Sequence, residues 1–143
     1  MMEQYQGKIA ILGSGNIGLS LAKGLIKANY VEPTQICLTR RNTDALSTYA
    51  AMGFGVSADN AAAVADADMV VLAVLPQQLN QLLDQISGSI DPKKHLLISV
   101  ASGVSCQDIR SKLTEEVQVV RAMPNTAIAI GQSMTCVATD NGS

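Results

Sequence analysis

Apolar and polar positions alternate along the chain in blocks that switch between two periods. Short, nearly unbroken apolar runs at Lys8–Leu12, Gln35–Thr39, Phe54–Val56, Met69–Val74, Leu96–Val100 and Val117–Arg121 read as strands, and such runs fit strands buried on both faces. Between them, Asn16–Asn29, Thr43–Met52, Asp59–Ala65 and Gln77–Ile86 read as helices. Pro76 suits a first helical turn, where its missing N–H costs nothing, and Leu79, Leu82, Leu83 and Ile86 fall on one stripe of the helix behind it. Ser105 with Asp108 resembles a capping box opening a helix to Leu113, and Met134–Ala138 predicts a further strand. Strands and helices alternating at this spacing predict one α/β domain over residues 1–143. Its fold class is a Rossmann-type, doubly wound, mostly parallel sheet with helices on both faces. The ligand crevice of such a sheet lies at the carboxyl ends of its strands.

Composition narrows the chemistry. Hydrophobic residues make up 48% and charged residues 15% of the 143, yet no apolar run approaches the roughly 20 residues of a membrane span. The opening MMEQYQGK has neither the basic start nor the apolar stretch of a secretion signal, so a cytoplasmic protein with no membrane partner is expected. A net charge of −2, one Phe and no Trp argue against a nucleic-acid surface. Cys37, Cys106 and Cys136 are widely spaced in apolar contexts and read as buried, reduced thiols. With one His in the chain, no metal site is expected. His95 reads as a surface or cap residue, and Met52, Met69, Met123 and Met134 as core filler.

The chemistry concentrates at Gly13-Ser14-Gly15-Asn16-Ile17-Gly18, a G-x-G-x-x-G placed directly after a strand and opening a helix. Gly13 permits the tight turn, Gly15 presents no side chain to a pyrophosphate, and Gly18 lets helix and strand pack closely. Phosphates then meet the unpaired N–H groups and positive dipole end of the helix. A site for NAD places Asp or Glu at the end of the second strand to hold the ribose 2′-hydroxyl. This chain has Thr39, Arg40, Arg41 and Asn42 there. A hydroxyl beside two guanidiniums suits a 2′-phosphate, so NADP is favoured, with NAD possible.

From Lys8 to about Ala138 the sequence resembles the pyrroline-5-carboxylate reductase family. The resemblance rests on GSGNIG, Asn60, Ala73-Val74-Leu75-Pro76-Gln77, Ser99–Val104 and above all Arg121-Ala-Met-Pro-Asn-Thr126 followed by Gly131. It implies hydride transfer from NAD(P)H to the C=N carbon of 1-pyrroline-5-carboxylate, giving L-proline, with the cofactor carrying the chemistry. By that analogy Leu12, Gly13, Ser14, Gly15, Asn16 and Ile17 line the pyrophosphate and Asn60 reaches the ribose. Ala73, Val74, Leu75 and Pro76 pass beneath the cofactor, and Val100, Ala101 and Ser102 lie by the nicotinamide. Met123, Pro124, Asn125 and Thr126 form the loop on the nicotinamide side. The family usually has Lys where this chain has Leu75 and Pro where it has Ala127. The analogy also implies a C-terminal helical domain, beyond these residues, that dimerises and supplies most of the substrate site, so the 143 residues alone are expected to bind cofactor without turnover. No catalytic residue is identified, and Arg121 suits a structural ion pair as well as a ligand contact. The alternatives are a non-catalytic nucleotide-binding module and a related NADP-dependent reductase of different substrate, which would not be expected to carry RAMPNT.

Overall fold

The computed structural model describes residues 6–13, 16–100, 106–113 and 117–121. Six strands, β1 (Ile9–Leu12), β2 (Ile36–Thr39), β3 (Gly55–Ser57), β4 (Met69–Leu72), β5 (Leu96–Ser99) and β6 (Gln118–Arg121), form one sheet in the order β3-β2-β1-β4-β5-β6. Every neighbouring pair is parallel. The chain runs outward from β1 to β3, then returns to the other side of β1 to lay down β4. The order therefore reverses between β1 and β4, which is where an open α/β sheet leaves a crevice.

The two-residue period of the strands divides the core into two layers. Ile9, Ile11, Met69, Val71, Ile98 and Val120 face one cluster, closed by Leu21, Ala22 and Leu25 of α1 (Asn16–Lys27) and by Leu46 and Phe54. Ala10, Leu12, Val70, Leu72, Leu97 and Val119 face the other. That layer is closed by α3 (Asn60–Ala65), by Leu79, Leu82, Leu83 and Ile86 of α4 (Pro76–Ile86), and by Ile109 of α5 (Cys106–Lys112). The central strands are buried at every position, which accounts for their unbroken apolar runs.

Local chemistry sets the element ends. Asp59 caps α3 by accepting the Ala62 N–H (3.1 Å), and Pro76 occupies the first turn of α4. α1 stops at Lys27 because Asn29 turns left-handed (φ 59°), with the Tyr30 N–H donating to the Leu25 carbonyl and the Asn29 N–H to that of Ile26. The predicted Thr43–Met52 helix is a 3₁₀ turn (Thr43–Leu46) leading into α2 (Ser47–Ala51). It ends in the same kind of clasp: Gly53 has φ 106°, Phe54 N–H donates to Tyr49 carbonyl, and the two rings meet edge-on at 5.9 Å. Phe54 thus belongs to that clasp, so β3 runs over Gly55–Ser57 rather than Phe54–Val56.

Other expectations are corrected. Lys8, Val74, Val100 and Val117 flank their strands rather than joining them. Met69 is core, but Met52 caps the short α2 and is 53% exposed. His95 is buried rather than on the surface. Its Nδ1 accepts the Asp91 N–H (2.8 Å) and its Nε2 lies 2.8 Å from the Val64 carbonyl, so the neutral ring with hydrogen on Nε2 ties the 91–95 turn to α3. The Ser105 cap, Met123, Met134, Cys136 and the Met134–Ala138 strand lie outside the described residues. No helix among the described residues is long and apolar enough to cross a membrane.

Candidate functional site

Leu12 ends β1 at the reversal of strand order, and the next residue must turn the chain toward α1. Gly13 does this with φ +83°, a left-handed conformation that side chains other than hydrogen disfavour. A Cβ at Gly13 would stand 2.4 Å from Val74 Cγ1 and 3.2 Å from Val74 Cα and N, so Val74, just past β4, is the floor of the turn. On α1, a Cβ at Gly18 would sit 3.0 Å from the Gly13 carbonyl oxygen and 3.1 Å from Ile11 Cγ2, which explains the third glycine as a packing requirement. No acidic residue occupies the first turn of α1. The positive end of its dipole is therefore left for an anion.

The end of β2 lies beside that turn, with Leu12 paired to Thr39. Thr39 is 1% exposed, and its Oγ1 accepts the Gly13 N–H at 3.2 Å. Strand alternation turns this hydroxyl inward beneath the glycine turn. Arg40 and Arg41 follow with exposed side chains, and the Arg40 N–H is held by the Ser57 carbonyl (3.1 Å). Asn42 accepts the Asp44 N–H (3.1 Å), which ends the loop in a capped 3₁₀ turn.

The other anticipated residues divide by burial. Leu12, Ala73 and Val100 belong to the core layers, so their contribution to a crevice is main-chain only. The Ala73 N–H continues the ladder by donating to the Leu12 carbonyl (2.9 Å). Val74 is half-buried, whereas Leu75 is 53% exposed at the amino end of α4. Asn60 opens α3, and its amide Nδ2 donates to Gln85 Oε1 (2.9 Å), a contact that nothing in the sequence pattern announced. Asn16, Ile17 and Pro76 are placed by the backbone at the first turns of α1 and α4. Ser14, Gly15, Ala101, Ser102, Met123, Pro124, Asn125 and Thr126 lie outside the described residues.

A surface cavity of about 210 Å³ lies at the opposite, amino ends of the strands, between Lys8, Gln35, Cys37, Val56 and Asp66. Cys37 carries an unpaired, half-buried thiol there. Burial, and then the charge of Asp66, push this thiol up; burial also raises the Tyr30 phenol. Both groups are neutral when protonated and hold their protons more tightly in the folded chain than in the unfolded one. The stability they contribute is complete below the ordinary values and is lost as pH rises through the raised ones. Urea midpoints are expected to hold from neutral pH to about 8 and to fall beyond about 9 to 10. A Cys37→Ala/Tyr30→Phe chain should show a flatter alkaline limb.

The strand order, the left-handed glycine and the acid-free helix end together form a dinucleotide-type crevice. Its sequence relatives agree. The chain is 44% identical over 137 residues to pyrroline-5-carboxylate reductase 1 of Dictyostelium discoideum, covering 96% of this chain and 25% of that protein. It is 42% identical over 133 residues to pyrroline-5-carboxylate reductase 2 of the same organism, covering 91% and 44%. The structure of a pyrroline-5-carboxylate reductase from Coxiella burnetii superposes with a TM-score of 0.77 at 33% identity, over 83% of this chain and 44% of that one. The chain thus spans less than half the length of these relatives. Through residues 8–103 it belongs to the family described as NADP oxidoreductase, coenzyme F420-dependent.

Proposed function

We propose that these residues form the NADP(H)-binding domain of a pyrroline-5-carboxylate reductase. That enzyme reduces a small molecule, 1-pyrroline-5-carboxylate, to L-proline for amino-acid biosynthesis in the cytoplasm. The observation that carries the reading is the 44% and 42% identity, over 96% and 91% of the chain, to two proteins named for this reaction. The residues fit the cofactor: a left-handed glycine turn, a helix end without carboxylates, and two exposed arginines one strand away.

When bound, the nicotinamide supplies the hydride. The protein's part is to hold and orient. The turn at Gly13, together with Ser14, Gly15 and the first residues of α1, Asn16 and Ile17, would hold the pyrophosphate, while Arg40 and Arg41 would grip the 2′-phosphate and favour NADP over NAD. Asn60 would reach the ribose by its amide. Val74, Leu75 and Pro76, with Val100, Ala101 and Ser102, would line the path toward the nicotinamide, and Met123, Pro124, Asn125 and Thr126 would close its side. The substrate site and the homo-oligomeric interface belong, in this reading, to the length of the relatives that these residues do not align with.

Titration of the chain with NADPH and NADH, followed by mixing with 1-pyrroline-5-carboxylate, tests the proposal. Binding of both, tighter for NADPH, is expected, without formation of L-proline by these 143 residues. Failure to bind either dinucleotide would overturn the assignment, and L-proline formation would overturn the division of labour.

A further inference from the structure

We propose that Thr39 positions the phosphate-binding turn through its buried hydroxyl, without touching the ligand. The inference rests on the reading that this turn holds a dinucleotide pyrophosphate. At Gly13 the chain leaves the β1 ladder with φ +83°, and its N–H donates to a side chain, Thr39 Oγ1, at 3.2 Å. Thr39 is 1% exposed and the hydrogen bond is part-buried, so water replaces that acceptor poorly. A part-buried N–H deprived of its partner is costly, and the turn recovers the lost bond fully only by moving. The turn is otherwise held by the Val74 floor, where a Cβ on Gly13 would come within 2.4 Å of Cγ1. Val74 limits how deeply the turn can sink; the Thr39 hydroxyl stops it from rising.

Thr39 also leads directly into Arg40, whose N–H is tied to the Ser57 carbonyl. One residue thus connects the turn that would meet the pyrophosphate to the loop that would meet the adenosine end. The consequence distinguishes positioning from contact. The pyrophosphate is common to NADPH and NADH, so loss of positioning weakens both by the same factor. A hydroxyl bound to the 2′-phosphate would matter for NADPH alone.

The test compares Thr39→Val, which keeps shape and strand propensity but removes the acceptor, with Thr39→Ser, which restores it. NADPH and NADH affinities are measured together with hydrogen exchange at the Gly13 amide and thermal unfolding without ligand. Thr39→Val is expected to weaken both dinucleotides by about tenfold and to speed Gly13 exchange, with Thr39→Ser within about twofold of the unsubstituted chain. A purely structural role would lower the unfolding temperature and leave both affinities intact. Should the valine chain not fold, Thr39→Ala gives the same comparison. Undiminished affinity, a loss confined to NADPH, or a loss that serine does not repair each overturns the inference while leaving the proposed function standing. Absence of binding by the unsubstituted chain overturns both.

Discussion

Replacing Gly13 with alanine is expected to lower stability by about 3 kcal/mol and to remove detectable dinucleotide binding. Two independent costs combine. The backbone sits at φ +83°, and a residue with a Cβ held in left-handed conformation costs about 1–2 kcal/mol. The added carbon would also stand 2.4 Å from Val74 Cγ1 and 3.2 Å from Val74 Cα and N. Rotating the valine cannot relieve the two main-chain contacts, and its β-branch leaves few rotamers. Overpacking of this kind typically costs about 1–3 kcal/mol. A Gly13→Ala/Val74→Ala chain isolates the side-chain clash, since it removes that clash and keeps the dihedral penalty and the two main-chain contacts. Gly88 supplies the control: a Cβ there meets nothing within 4 Å, so Gly88→Ala is expected to leave stability and binding unchanged. Urea denaturation and NADPH titration measure both effects. A loss below about 1 kcal/mol for Gly13→Ala would contradict the argument.

The sheet was legible because its central strands are buried on both faces and so carry no polar interruption, as at Ile9–Leu12 and Met69–Leu72. The glycine turn was legible because Gly13 and Gly18 each answer a local steric demand. What escaped the sequence depends on which way a side chain faces once distant segments meet. Thr39 stands where a hydroxyl could meet a ligand, yet strand alternation puts it under the turn. His95 follows Asp91-Pro92-Lys93-Lys94, a stretch that reads as a surface turn, but its ring closes that turn from inside by reaching Val64 on α3. Phe54 carries the β-propensity of a strand residue and is used instead to clasp the end of α2 against Tyr49. In each case a local preference is overridden by a partner supplied from elsewhere in the fold. The same holds for Asn60, whose amide is engaged by Gln85 twenty-five positions away.

The exposed arginines carry the other large effect. An Arg40→Ala/Arg41→Ala chain is expected to bind NADPH about 100-fold more weakly while its affinity for NADH changes by less than about threefold. Charge-assisted hydrogen bonds contribute about 1.5–3 kcal/mol each, and exposed guanidiniums belong at the low end, because water and salt screen them. Two such contacts therefore amount to about 3 kcal/mol, which is on the order of 100-fold. Each single substitution should retain part of the preference, since either guanidinium can shift toward the phosphate. Screening adds a second signature: raising salt from about 0.05 to 0.5 M should erode the NADPH preference of the unsubstituted chain and leave the double variant unaffected. This profile is the reverse of the one expected at Thr39. Removing the arginines discriminates between the two dinucleotides, whereas removing the hydroxyl beneath the turn weakens both alike. If the double variant kept its preference for NADPH, the loop after β2 would be a solvated surface, and discrimination of the 2′-phosphate would have to lie elsewhere in the crevice.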